Sequence, residues 1–173
     1  PRSTLFPYTT LFRSLCDIIG KTKHFEIVGE AADGEEALRK LAFLKPLIVI
    51  LDIDMPRLNG VETLRLIREL PFPVNVIILT MYKEEAMFNI AMDHGAKAYV
   101  LKDNAPKDIV TALEKVERGE TFLSAALLDA ARRRSDRVQE LLLSKPQIES
   151  LTPAERRILK LVGEDFTSKE IAD

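Results

Sequence analysis

The chain has 173 residues, of which 46% are hydrophobic and 30% are charged, and its formal net charge is −2. This balance predicts a water-soluble globular protein and argues against a uniformly basic nucleic-acid-binding surface. The single cysteine excludes an internal disulfide and a cysteine zinc cluster. No apolar run approaches the ~20 residues of a membrane span. We therefore expect a cytoplasmic protein with one ordinary domain and part of a second.

Residues 1–14 differ in character from the rest of the chain. They contain two prolines and no acidic residue, and they resemble translated adaptor sequence. We interpret them as a non-native or irregular segment, and we interpret the chain, which begins with Pro1, as an incomplete translation product. Residues 8–12 are rich in threonine and aromatic side chains, which favours a makeshift edge strand as the alternative.

From Leu15 onward, helical and strand patterns alternate. Apolar residues recur every three or four positions in five segments, and this spacing predicts helices at 15–20, 33–45, 61–70, 83–94 and 106–118. Strands are predicted at 25–31, 47–52, 74–80 and 98–101, and a first strand is expected before Leu15. The five uninterrupted aliphatic residues at 47–51 are typical of a strand that is buried on both faces. In the helix at 83–94 we expect Met87, Ile90 and Ala91 to face inward.

This alternation predicts an α/β fold, a flavodoxin-like doubly wound parallel sheet, at 15–121. Residues 122–146 carry a basic run and two leucine clusters, and they are interpreted as a partly helical linker. Thr152, Pro153 and Glu155 have the order of a helix cap, first turn and capping box. A second helix begins near Thr167. The segment 147–173 is therefore expected to be the start of an all-α domain.

Polar side chains lie at or directly after the ends of three predicted strands, namely Asp52, Thr80 and Lys102. The carboxyl ends of parallel strands form the edge where open α/β sheets bind ligands. A carboxylate can accept a phosphoryl group as a nucleophile, while a hydroxyl and a lysine can engage its oxygens. Taken singly, each residue is more often a turn, cap or solvated side chain. Their joint placement favours phosphoryl transfer, and Asp54 could offer a backbone carbonyl to Mg²⁺.

Residues 15–121 resemble the receiver domain of a two-component response regulator. The matching motifs are Ile-Leu-Asp-Ile-Asp-Met-Pro-Arg-Leu-Asn-Gly at 50–60, Ile-Ile-Leu-Thr at 77–80 and Ala-Tyr-Val-Leu-Lys-Asp at 98–103. Residues 147–173 resemble the opening of a LuxR-type helix-turn-helix, through Leu-Thr-Pro-Ala-Glu-Arg at 151–156 and Ser-Lys-Glu-Ile-Ala at 168–172. This order of domains resembles the NarL/FixJ-type transcriptional regulators.

The resemblance implies a role for each matching residue. Asp52 would accept a phosphoryl group from a sensor histidine kinase, Thr80 and Lys102 would contact the phosphoryl oxygens, and Tyr99 would be the switch residue. Mg²⁺ is the cofactor that the family implies, held by Asp52 and the backbone carbonyl of Asp54. Phosphorylation would favour a homodimer and DNA binding by the output domain, so the protein would act in a signalling relay and not as a turnover enzyme.

Two departures from the family pattern limit these expectations. The family has an acidic pair at the end of its first strand, and here no Asp or Glu precedes Asp17. We therefore expect weak Mg²⁺ binding and poor phosphorylation of this chain. The chain also stops before the recognition helix that would enter the DNA major groove, so DNA binding is expected of a full-length parent and not of this chain.

Two alternatives remain open. Asp52 and Asp54 have the Asp-x-Asp spacing of haloacid dehalogenase-like phosphatases, although that motif normally follows the first strand and here a strand and two helices precede it. The other alternative is an interaction module that works independently of phosphorylation, which the absent acidic pair favours. Phosphatase turnover would identify the first, and a phosphorylation assay would separate the second from a functional receiver.

Overall fold

The computed structural model describes residues 7–143, with side-chain environments described for residues 11–137. Its helices are α1 Pro7–Lys21, α2 Gly34–Leu44, α3 Gly60–Ile67, α4 Glu85–Asp93, α5 Ala105–Glu117 and α6 Leu128–Leu143, with a 3-10 helix at Ala125–Leu127. Its strands are β1 Ile48–Asp52, β2 Asn75–Thr80, β3 Ala98–Leu101 and β4 Phe122–Leu123. None of the helices between Pro7 and Leu143 has the length and hydropathy that a bilayer crossing requires.

The four strands form one parallel sheet in the order β1-β2-β3-β4. Asp52 lies opposite Leu79 and Thr80 lies opposite Leu101 in the register of neighbouring strands. The carboxyl ends of β1, β2 and β3 therefore lie side by side. The predicted parallel α/β architecture is confirmed, and its topology delivers the predicted site residues to one edge.

Helices cover both faces of the sheet. Helix α1 packs against α5, and the apolar residues of both join alternate residues of β2 and β3 in one buried cluster. Helix α3 contacts α2, α4 and β1. On α4, Phe88 meets the ring of Tyr99 edge to face, with ring centroids 5.6 Å apart. Burial between two helical layers explains why β2 contains an uninterrupted aliphatic run at 76–79 and why all four residues of β3 are hydrophobic.

The first compact unit of the chain ends at Ala130. Strand β4 and the 3-10 helix lie within the segment 122–146 that was interpreted as a linker, so its first residues belong to the sheet. The helical part of that interpretation fits α6. The second unit begins at Ala131, and the predicted helix-turn-helix at 147–173 lies outside the described residues. The proposed domain boundaries therefore stay predictions.

The expected first strand before Leu15 is wrong for residues 7–14, and so is an edge strand at 8–12, because these residues belong to α1. Residues 1–6 lie outside the described part of the chain. Leu11, Leu15, Ile18 and Ile19 recur at helical spacing and pack on the core of the sheet. This shared apolar face extends the helix toward the amino end and overrides the strand propensity of the threonines.

The strand predicted at 25–31 is also wrong, since this segment has no regular secondary structure. A strand needs a neighbouring strand for its backbone hydrogen bonds. None of the described strands pairs with residues 25–31, so their strand-like sequence forms no hydrogen-bond ladder.

Two burial predictions need correction. Strand β1 is less buried than its sequence predicts, because Ile48, Val49 and Ile50 are only half-buried. In α4, Ile90 is 40% exposed and Met87 is half-buried, whereas Phe88 is fully buried. Helix α4 begins at Glu85, later than predicted. The aromatic contact with Tyr99 determines which side of the helix faces the sheet.

Candidate functional site

Asp52 is the last residue of β1 and Lys102 directly follows β3. The Lys102 ammonium nitrogen Nζ lies 2.5 Å from Asp52 Oδ2. The Lys102 side chain is only 4% exposed, while that of Asp52 is 23% exposed. A nearly buried cation thus faces a carboxylate that solvent can reach. Such a pair neutralises the charge of the lysine while part of the carboxylate stays exposed to solvent.

The loop after β1 is folded tightly against Asp52. The backbone N–H of Gly60 donates to Ile53 O over 2.9 Å, and a side chain at Gly60 would overlap the carbonyl oxygen of Asp52. Asn59 caps α3 in a capping box with Glu62. The glycine is required by this close approach, and the cap fixes where the loop ends.

Asp54 lies beside Asp52 but points to a different partner. Its backbone N–H donates to Asp52 Oδ1 over 3.0 Å, and its carboxylate oxygen Oδ1 accepts a hydrogen bond from the Tyr82 hydroxyl at 2.9 Å. The first bond orients the Asp52 carboxylate, so that its second oxygen faces Lys102. The second bond shows that the Asp54 side chain is engaged by the loop that follows β2.

Thr80 is fully buried at the end of β2. Its hydroxyl oxygen accepts from the backbone N–H of Tyr82 over 3.1 Å, and its carbonyl oxygen accepts from the backbone N–H of Lys102 over 2.8 Å. Thr80 therefore joins the ends of β2 and β3 through its backbone. Its hydroxyl fixes the turn that carries Tyr82.

Tyr99 lies within β3 with its side chain fully buried. Its hydroxyl donates to the carbonyl oxygen of Tyr82 over 3.1 Å. Burial raises the pKa of Tyr99 well above its ordinary value. The ring is thus held inward as a neutral phenol that is connected to the candidate site through Tyr82.

The side chains near Asp52 do not form a complete Mg²⁺ site. Within the described part of the chain, no group of three or more His, Cys, Asp or Glu residues is placed to hold a metal ion. Mg²⁺ prefers octahedral oxygen coordination, and Asp52 and Asp54 are already engaged by Lys102 and Tyr82. The acidic side chains present therefore do not fit the ion as a tightly held ligand set.

Tyr82 is the residue of the site that the sequence did not single out. It contacts Asp54 through its hydroxyl, Tyr99 through its carbonyl and Thr80 through its N–H. The only signal in the sequence that indicates a role in the site is its position two residues after Thr80. A lone aromatic residue in a loop is usually a packing residue, so this signal is weak. Its importance depends on contacts between β1, β2 and β3 that sequence spacing does not reveal.

Two further contacts hold the surroundings of the site. Arg57, in the loop after β1, has a positive φ of 64° and forms an ion pair with the buried Asp33 at the start of α2. Ser124 Oγ accepts from the backbone N–H of Leu101 over 3.1 Å and donates to Asp108 Oδ2 over 2.6 Å. The first contact anchors the loop near Asp52, and the second fixes the residue that precedes Lys102.

Comparison with known proteins assigns the family. The model of the response regulator receiver domain matches residues 9–114. The nitrate/nitrite response regulator protein NarL of Escherichia coli K12 is 34% identical over 157 residues, which cover 90% of this chain and 71% of NarL. The response regulator protein VraR of Staphylococcus aureus is 36% identical over 148 residues, covering 85% of this chain and 68% of VraR.

A solved structure gives the same result for the fold. A LuxR-family two-component response regulator from Aurantimonas sp. SI85-9A1 superposes with a TM-score of 0.68 at 29% identity, covering 73% of this chain and 91% of that one. The described sheet, with Asp52 and Lys102 at its carboxyl edge, is thus a receiver fold. The chain belongs to the response regulators of the NarL/LuxR type.

Proposed function

We propose that Asp52 is the phosphoacceptor of a two-component phosphorelay, with Lys102 and Thr80 as the residues that contact the phosphoryl group. The observation that carries this proposal is the 2.5 Å contact between Lys102 Nζ and Asp52 Oδ2 at the carboxyl edge of the sheet. This contact combines an accessible carboxylate with a nearly buried cation, which suits the stabilisation of transferred negative charge.

The chemistry is a transfer between two nucleophiles. An oxygen of Asp52 attacks the phosphorus of a phosphohistidine on a sensor histidine kinase, the new O–P bond forms, and the N–P bond to the histidine breaks. The product is an acyl phosphate on Asp52, and the imidazole leaves with the electron pair of the broken bond. Lys102 moves from the carboxylate to the phosphoryl oxygens and balances part of their charge.

Transmission of this event would pass through Thr80, Tyr82 and Tyr99. The Thr80 hydroxyl holds the backbone of Tyr82, and Tyr82 O accepts from Tyr99. When the hydroxyl of Thr80 turns toward a phosphoryl oxygen, its bond to Tyr82 N is lost and the loop after β2 rearranges. Phosphorylation adds a charge of about −1.5 to −2, which is sufficient to shift the equilibrium between two conformations of the surface through such local contacts.

The expected output is regulation of transcription. A homodimer formed after phosphorylation would control DNA binding by a LuxR-type output domain at 147–173 and beyond. The names of NarL and VraR describe response regulators, which supports a sensor histidine kinase as the upstream partner. Response regulators generally are not turnover enzymes, and we expect no phosphatase turnover from Asp52 and Asp54.

We further propose that this chain is phosphorylated poorly. Receiver domains typically bind Mg²⁺, which neutralises phosphoryl charge when it is bound. The acidic side chains described near Asp52 do not form a full ligand set for it. Lys102 alone then balances the transferred charge, so the rate of transfer should be low while the acceptor stays the same.

The test is intact-mass measurement after incubation with acetyl phosphate and Mg²⁺. We expect a small fraction of the chain to gain one phosphoryl group, and Asp52→Asn to abolish the gain. Asp54→Asn is the matched control, because it changes the adjacent carboxylate in the same way and should retain the gain.

Two outcomes would contradict the proposal. A gain that persists in Asp52→Asn would place the acceptor elsewhere. No gain at any acetyl phosphate concentration would instead favour an interaction module that works without phosphorylation. Saturation of Asp52 by Mg²⁺ at micromolar concentration would refute the proposed weakness of the metal site, and turnover of a phosphate ester would favour the phosphatase alternative.

A further inference from the structure

The backbone at Lys102 is held from both sides of β3. The N–H of Lys102 donates to Thr80 O over 2.8 Å on the β2 side. The N–H of the preceding residue, Leu101, donates to the side-chain oxygen Ser124 Oγ over 3.1 Å on the β4 side. Asn104 N–H also donates to Leu101 O over 3.0 Å. Two successive peptide groups are therefore fixed at the lysine that contacts the candidate phosphoacceptor.

Ser124 supplies with its side chain what a longer strand would supply with its backbone. Strand β4 ends at Leu123, and the N–H of Ser124 still continues the ladder by donating to Tyr99 O over 3.1 Å. In a longer parallel strand, the carbonyl of Ser124 would be the next acceptor, for Leu101 N–H. That carbonyl instead accepts from Leu127 N–H over 2.9 Å. The Ser124 hydroxyl takes its place, so the chain turns into the 3-10 helix and Leu101 N–H keeps an acceptor.

Asp108 fixes the orientation of this hydroxyl. Ser124 Oγ donates to Asp108 Oδ2 over 2.6 Å, and Asp108 lies in the first turn of α5. A serine hydroxyl has a single hydrogen, so its bond to the carboxylate leaves the oxygen lone pairs for Leu101 N–H. Ser124 is fully buried, and hydrogen bonds to a charged group are stronger there than in water. Groups of β3, α5 and the segment after β4 thus meet at one oxygen atom.

We propose that Ser124 is a positioning residue for Lys102 and that Asp108 acts through Ser124 by orienting its hydroxyl. Without the hydroxyl, Leu101 N–H would lack its acceptor in the core, and the chain at Leu101 would shift toward another acceptor or water. The Lys102 ammonium group, which lies 2.5 Å from Asp52 Oδ2, would then lose its fixed position. The importance of Ser124 for phosphorylation rests on the proposed function of Lys102.

Ser124 lies outside the residues that match the receiver family. The receiver model matches residues 9–114, while Ser124 stands between β4 and the 3-10 helix that leads into α6. The segment between the receiver motifs and α6 therefore contributes a residue to the support of the site. A movement of Lys102 on phosphorylation would act on this segment through the same hydrogen bond, because the coupling between two sites is reciprocal.

The position of Lys102 can be measured without phosphorylation, by NMR of the lysine ammonium groups in the isotope-labelled full chain. An ammonium group that is nearly buried and paired with a carboxylate exchanges its hydrogens slowly, so we expect a resolved signal for Lys102. The signal is assigned by its absence in Lys102→Arg. We expect Ser124→Ala to broaden or remove it. A signal that stays unchanged in Ser124→Ala would overturn the proposal.

Two variants at Asp108 test how the hydroxyl is oriented. Asp108→Asn keeps an oxygen that can accept from Ser124, so the Lys102 signal should persist. Asp108→Ala removes that acceptor and keeps the buried hydroxyl, so the signal should broaden, although less than in Ser124→Ala. Asp108→Ala also carries the test if Ser124→Ala fails to fold. Equal Lys102 signals in Asp108→Ala and the wild-type chain would refute the role of Asp108 and, in that case, the whole proposal.

The second measurement is the rate of phosphoryl gain, followed by intact mass with acetyl phosphate and Mg²⁺. We expect Ser124→Ala to lower this rate about tenfold, because a displaced Lys102 stabilises the transferred charge less well. Val116→Ala is the matched control, since it truncates a fully buried side chain of α5 that makes no side-chain hydrogen bond. It should lower the midpoint of urea denaturation and leave both the rate and the Lys102 signal unchanged.

An unchanged rate in Ser124→Ala would contradict the positioning role. Losses of rate that follow the losses of stability equally in Ser124→Ala and Val116→Ala would show that Ser124 serves the fold alone, and they would also overturn it. No phosphoryl gain in the wild-type chain would instead contradict the proposed function of Asp52, because the ammonium signal of Lys102 does not depend on phosphorylation.

Discussion

Strand β1 and the central strands β2 and β3 differ in burial although their sequences are similarly hydrophobic. Strands β2 and β3 are rich in hydrophobic residues and almost fully buried, while β1, which is similarly hydrophobic, is mostly half-buried. The central strands have a neighbour on each side, whereas β1 pairs only with β2 among the described strands. An aliphatic run therefore specifies the environment that a strand requires, and the neighbouring strands determine whether this environment is provided.

The largest expected difference is between truncating an isoleucine of the central strand β2 and truncating one of β1. Ile77 and Ile50 are register partners on neighbouring strands, and Ile77 is fully buried while Ile50 is half-buried. Ile77→Ala should lower the free energy of unfolding by about 2–5 kcal/mol, because it leaves a cavity in the core. Ile50→Ala should lower it by about 1–2 kcal/mol, since part of its surface is already hydrated.

Urea denaturation of both variants measures this difference. Equal losses in the free energy of unfolding would mean that β1 is as well packed in solution as β2. The contrast in burial between the two strands would then be wrong.

An intermediate effect on the free energy of unfolding is expected at the carboxyl end of β1, where the following loop packs tightly. Gly60→Ala would bring a Cβ atom against the carbonyl of Asp52 and to 2.7 Å from Ile53 Cα. We expect a loss of about 1–3 kcal/mol in the free energy of unfolding from this overpacking, together with lower phosphoryl acceptance by Asp52.

Gly20→Ala is the matched control, because a Cβ at Gly20 has no neighbour within 4 Å. Placed in α1, it should stabilise the chain by about 0.5–1 kcal/mol. If thermal melting shows that both variants shift the melting temperature in the same direction, the close approach at Gly60 is not what requires a glycine there.

The smallest effect concerns an exposed contact between the segment after α1 and the end of α5. His24 Nε2 lies 2.8 Å from Glu117 Oε2, and the hydrogen bond to Glu117 raises the pKa of His24. Because the folded-state pKa is the higher one, the contact favours the folded chain below the ordinary histidine pKa of about 6.5. This contribution fades as pH rises through the folded-state pKa.

An NMR titration of the His24 ring measures the shift directly. Glu117→Gln should return the pKa toward its ordinary value, and an unchanged pKa in that variant would show that Glu117 is not the cause. The effect on stability should be slight, since both side chains are exposed.

Local signals in the sequence predicted much of this fold. The helix predicted at 33–45 begins at Asp33, whose side chain accepts from Glu36 N as the cap of α2, and in the helix predicted at 106–118 the buried Ile109, Leu113 and Val116 recur at helical spacing. The strand at Ala98–Leu101 has its predicted bounds. Such features depend on residues a few positions apart, which is the range over which periodicity and caps act.

The failures have a different physical origin. Residues 25–31 have a strand-like sequence but pair with no described strand, because pairing depends on two segments and not on one. Residues 7–14 belong to α1, whose described apolar side chains from Leu11 to Ile19 pack on the core. At the site, the contact of Asp52 with Lys102 followed from topology, and their roles stay predictions. The network around Tyr82 joins the loops after β1 and β2 to the ends of β2 and β3, and it has no signature along the chain.

The contacts of Ser124 have a practical consequence for dissecting this protein. A fragment cut after residue 121, where the sequence places the end of the receiver, would lose β4 and the hydroxyl that accepts from Leu101 N and donates to Asp108. The residue next to Lys102 would then lack its hydrogen-bond partner in the core, an omission that costs about 1–3 kcal/mol at a buried site. A fragment ending at Ala130, where the first compact unit ends, keeps these Ser124 hydrogen bonds and is the better starting material for measurements on the isolated receiver.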